Sequence, residues 1–99
     1  MINHEAMRQD YLLEISRRLR GPDRGHIVAR ARAVVDKWET SVGIHPRYVA
    51  NWRRILSDGA EAVELLARSR SPEALELQHC MPFAGILNNR ERLTLRKKH

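Results

Sequence analysis

DKWETSVGIHPRYVANWRRIL, residues 36–56, holds the end of one amphipathic helix, a turn and the start of another. Trp38 and Val42 continue an apolar spacing of three and four residues that begins upstream, and Gly43 supplies a stop. Pro46 suits the first position of a following helix, where its missing N–H has no partner to lose. From there to about Leu56, Tyr48, Val49, Trp52, Ile55 and Leu56 fall on the inward side, while Arg47, Asn51, Arg53 and Arg54 point elsewhere. Two helices across a short turn, with no alternating stretch nearby, set the expectation of an all-α chain.

The same pattern extends in both directions. Upstream, Ile27, Val28, Ala31, Val34 and Val35 complete a helix over about residues 24–41, with Asp23 as its expected cap. Before it, Gly21-Pro22 ends a first helix over residues 4–20, which Asn3 caps and Met7, Tyr11, Leu12, Ile15 and Leu19 line. Downstream, Ser57-Asp58-Gly59 breaks into a fourth helix over about residues 59–69, with Val63, Leu66 and Ala67 apolar. Ser71-Pro72-Glu73 combines a cap, a first-turn proline and a first-turn acid, and opens a short fifth helix that ends before Pro82. Asn88 with Glu91 three residues on resembles a capping box for a last helix over about residues 89–96. The reading is a small bundle of five to six helices containing a helix–turn–helix-like pair.

The 99 residues make one domain, with a short basic tail at its C-terminal end. The net charge of +6 is unevenly placed. Residues 1–57 carry eleven Lys and Arg against six acids, residues 58–89 two against five, and residues 90–99 five against one. Basic surfaces of this kind attract phosphate backbones or acidic proteins, or only aid solubility. The single cysteine, Cys80, excludes an intramolecular disulfide and fits a cytoplasmic location. No apolar run exceeds three residues, so no membrane span is expected.

Catalysis has little to stand on. His4, His26, His45, His79 and His99 lack metal-ligand spacing, so neither a metal nor another cofactor is expected. Cys80 follows His79 directly, and neighbouring helical residues diverge; the cysteine reads as a small buried hydrophobe. Residues 36–56 carry more. In a helix–turn–helix the second helix enters the major groove, and here His45, Arg47, Tyr48, Asn51 and Arg54 would reach DNA. Arginine suits guanine edges and phosphates, and asparagine suits adenine. Glu39, where a small residue would let the helices cross closely, either crowds the crossing or turns outward. An ordinary angled helix pair gives much of the same pattern. Trp38 and Trp52 read as core.

MPFAGIL, residues 81–87, gathers apolar side chains that Pro82 and Gly85 keep out of a long helix, and Arg90 and Arg92 follow. Such a segment either closes the bundle as a lid or presents an apolar, basic surface to a partner. With residues 46–56 (PRYVANWRRIL), Ser71-Pro72-Glu73-Ala74 and Glu91-Arg92, this stretch resembles a family of small bacterial antitoxins found beside nucleotidyltransferase-like toxins. The resemblance spans about residues 26–95. It implies an antitoxin that neutralises a cognate toxin by direct binding; proteins of this kind often also repress their own operon, as homodimers on operator DNA. The characteristic segment supplies Phe83, Ile86, Leu87, Arg90 and Arg92 as expected partner contacts. Two other readings stay open: a helix–turn–helix transcriptional regulator, and a phage-encoded inhibitor such as an anti-CRISPR protein.

Overall fold

The computed structural model describes residues 3–97 and contains six helices. They are α1 (His4–Leu19), α2 (Arg24–Glu39), α3 (Pro46–Asp58), α4 (Ala60–Arg68), α5 (Pro72–His79) and α6 (Asn89–Lys97). The fold is all-α. Four starts follow local chemistry. Asn3 accepts from Ala6 N at 3.0 Å, and Ser71 from Ala74 N at 3.1 Å. His45 caps α3 through Nδ1, which accepts from Arg47 N at 3.0 Å ahead of Pro46. Asn88 and Glu91 form a reciprocal capping box, each side chain accepting from the other's backbone N–H, at 2.9 and 3.2 Å. Asp23 departs from expectation, because its side chain makes no capping hydrogen bond to α2.

α1 lies at the centre, packed against α2, α4, α5 and α6, while α3 bridges α2 and α4. Their inward stripes meet in one core. Leu12, Ile15 and Leu19 of α1 face Ile27, Ala31 and Val35 of α2, Trp52 and Ile55 of α3, and Val63 and Leu66 of α4. Trp52 is fully buried, with the Phe83 ring edge-to-face against it at 5.4 Å and 87°. The segment that carries Phe83 is fastened to α1 by Tyr11, whose hydroxyl donates to Phe83 O at 2.5 Å and accepts from Leu87 N at 3.5 Å. Gln78, also buried, donates to Leu66 O and Ser69 O and so ties α5 to the end of α4.

Three apolar positions sit differently from their sequence pattern. α2 stops at Glu39, so Val42 lies in the α2–α3 connection and is fully exposed rather than inward. Trp38, the next-to-last residue of α2, is half-buried against the core rather than inside it. Cys80 follows the last residue of α5 and is half-buried.

Candidate functional site

On α3 the exposed row is Arg47, Ala50 and Arg54, with Asn51 half-buried at its edge. Arg53 donates to Asp36 at 2.9 Å and to Glu39 at 3.0 Å, both on α2. Glu39 therefore turns outward and helps hold the helix pair instead of crowding the crossing. Two of the expected DNA contacts are engaged by an acid from another element. Glu76 of α5 accepts from the Tyr48 hydroxyl at 3.1 Å and pairs with Arg47 at 3.3 Å. The Arg47 guanidinium also lies 5.5 Å over the Tyr48 ring. His45 is committed to its cap. Arg54 makes no ion pair among the described residues. Beside this row, Trp38, Ile44, Pro46, Val49 and Ala50 line a shallow groove of about 300 Å³ at the helix junction.

The expected C-terminal contacts divide. Phe83 and Leu87 are core residues, 0% and 2% exposed, so they close the bundle and are not presented to a partner. The physical reason is packing: the Phe83 ring lies against Trp52 in the core, and Tyr11 fastens the backbone at Phe83 and Leu87. Ile86 is half-buried against the core. Arg90 and Arg92 are exposed on α6.

α6 differs from the other five helices in having no buried residue. Leu93 is 53% exposed. Between α6 and α1 lies an apolar slot of about 170 Å³, floored by Met7, Tyr11, Met81 and Leu95 and flanked by Arg8 and Arg92. A wider depression beside it shares Met7 and Arg92 and adds Leu93 and Arg96. The single acid of α6, Glu91, is turned inward onto Arg18. Arg18 also donates to Glu14 at 2.9 Å, and with Arg17 it holds the Glu14 carboxyl at a pKa of about 2. The outer face of α6 is thus left to Arg90, Arg92 and Arg96.

The Cys80 thiol is pushed up by burial, against the pull of the Trp52 indole, and Glu76 raises it further. That setting keeps it a thiol. His79 lies with its Nε2 3.4 Å from Arg8 Nη2. Sequence spacing missed the slot because its floor joins α1 to Met81 and Leu95 at the other end of the chain. The one signal for it was the excess of cations in the last ten residues. No family model, curated protein or solved structure matches this chain.

Proposed function

We propose that this chain is an antitoxin-like protein that neutralises a cognate toxin enzyme by binding it. The observation that carries this reading is α6, a cationic helix with two leucines and no buried residue, lying along an open apolar slot on α1. A cationic rim speeds encounter with an acidic partner, and buried apolar groups slow release. The characteristic segment contributes in two ways. Phe83 and Leu87 fix the platform from inside, and Arg90 and Arg92 face the partner. The test is co-expression with the neighbouring gene product, followed by size-exclusion chromatography with light scattering at low and high salt. A complex that persists at high salt, together with relief of toxicity in growing cells, is the expected result. A neighbour that neither binds nor is relieved of toxicity would end this reading.

A second reading has its own observation. The exposed row of Arg47, Ala50 and Arg54, with Asn51 beside it, lies on a helix tied to α2 by Arg53. It supports contact with operator DNA through α3. Such binding weakens steeply with salt as phosphate contacts release counterions. Replacing Asn51 and Arg54 with alanine is expected to abolish it while the chain stays folded. Unchanged affinity for operator DNA would remove α3 from consideration.

A further inference from the structure

The slot between α1 and α6 has a size, a floor and a rim, and together they describe its occupant. Its volume of about 170 Å³ is near the roughly 150 Å³ that accommodates a benzene ring, so it takes one large apolar side chain. The floor is Met7, Tyr11, Met81 and Leu95, and its two thioethers adapt to the shape of what they meet. The rim is cationic. Arg8 and Arg92 flank the slot, and Arg96 continues the line beside exposed Leu93.

Among the described residues, the acids of the first turns of α1 and α6 are engaged away from that rim. Glu5, on the first turn of α1, is paired with Arg70 at 2.7 Å, and Glu91 is engaged by Arg18. A second copy of the chain fits poorly, because α6 carries four cations against one acid and two such helices repel. A phosphate backbone would match the rim but leave the apolar floor unused.

We propose that this slot docks an acidic, amphipathic segment of a partner protein, one leucine or phenylalanine side chain filling it and flanking carboxylates meeting Arg8 and Arg92. The proposal rests on the partner-binding reading above and names the partner chemistry of that site. The test uses the full isotope-labelled chain and a short synthetic helix with leucine and phenylalanine on one face and glutamate on the others. Its charge-reversed lysine counterpart and anionic phosphatidylglycerol vesicles are the comparisons. The glutamate peptide is expected to shift the amide signals of Met7, Tyr11, Met81, Leu93 and Leu95. Arg92→Glu, at an exposed helical position, is expected to weaken it roughly tenfold, and Leu93→Glu to weaken it as well.

Equal binding of the lysine peptide would overturn the proposal. So would shifts centred on Trp38 and Ile44, shifts that grow with protein concentration alone, or a response to vesicles without one to the glutamate peptide. The two readings fail separately. If the peptide seats here but the neighbouring gene product is ignored, the docking site stands and toxin neutralisation falls. If a toxin is bound equally well by Arg92→Glu, neutralisation stands and the slot is the wrong surface.

Discussion

At the scale of single residues, Phe83 and Arg92 lie nine positions apart and belong to different parts of the protein's physics. Phe83 is fully buried with its ring against Trp52, so truncation leaves a cavity as well as losing transfer energy. Phe83→Ala is expected to cost about 3–5 kcal/mol in urea unfolding. Arg92→Ala, on an exposed helix face, is expected to stay within about 0.5 kcal/mol of the parent. A small loss at Phe83 would return it to the surface. Glu14 supplies a pH-dependent prediction. Hydrogen bonds from Arg17 and Arg18 lower its pKa from 4.5 to about 2, so the folded state favours the charged carboxylate. Its stabilisation is complete above pH 4.5 and fades as pH falls towards 2. Because the carboxylate is a quarter exposed, solvent screening holds its worth to about 1 kcal/mol. Glu14→Gln should therefore unfold more easily than the parent at neutral pH, with the gap closing by pH 2 in a pH series of melts. A gap that persists in acid would mean the carboxylate's charge is not the source.

At the scale of helices, the junctions decide the path of the chain. Gly59 ends α3 and begins α4 with φ 94° and ψ −157°, a conformation that residues with a side chain rarely adopt. Its N–H still donates to Ile55 O at 3.0 Å. A Cβ there meets no neighbour, so Gly59→Ala tests backbone strain alone, with an expected loss of about 1–3 kcal/mol in thermal unfolding. A neutral result would mean the junction relaxes freely. Such local chemistry is why the helices were legible in the sequence: Asn3, Pro46, Ser71-Pro72 and the Asn88–Glu91 box each act within a few residues. What was not legible depends on distant partners. Val42 keeps the helical spacing of α2 but falls beyond its end, and spacing alone does not reveal where a helix frays. Phe83 and Leu87 share the apolar character of a docking segment, and distant partners draw them inside: Trp52 under the Phe83 ring, and Tyr11, some seventy residues earlier, on the backbone. Arg47 and Tyr48 look free on α3 until Glu76 of α5 is placed beside them. Of the candidate surface, Arg90 and Arg92 were readable from charge, whereas Met7, Arg8 and Leu95 meet only through the crossing of α1 and α6.

At the scale of the molecule, the last two segments are separable by what they bury. A domain of this size has about 5–15 kcal/mol of net stability, and the buried Phe83 and Leu87 account for a large share of it. α6 buries nothing completely, and it is tied to the body by the pair of Glu91 with Arg18 and by half-buried Leu95. A chain ended after Asn88 is therefore expected to keep a cooperative melt by circular dichroism, about 1–2 kcal/mol below the parent. A chain ended after Cys80 loses both core residues, strips the cover from the Trp52 ring, and is expected to lose the cooperative transition. The shorter loss matters for function as well as fold. The chain ended after Asn88 should remain folded yet fail to bind the acidic peptide, because Arg92, Leu93 and Leu95 leave with α6 while Met7, Tyr11 and Met81 stay. If it binds undiminished, the α1 side of the slot suffices and α6 only shields it. If it unfolds, α6 belongs to the core despite its exposure, and its cations owe their position to folding instead of recognition.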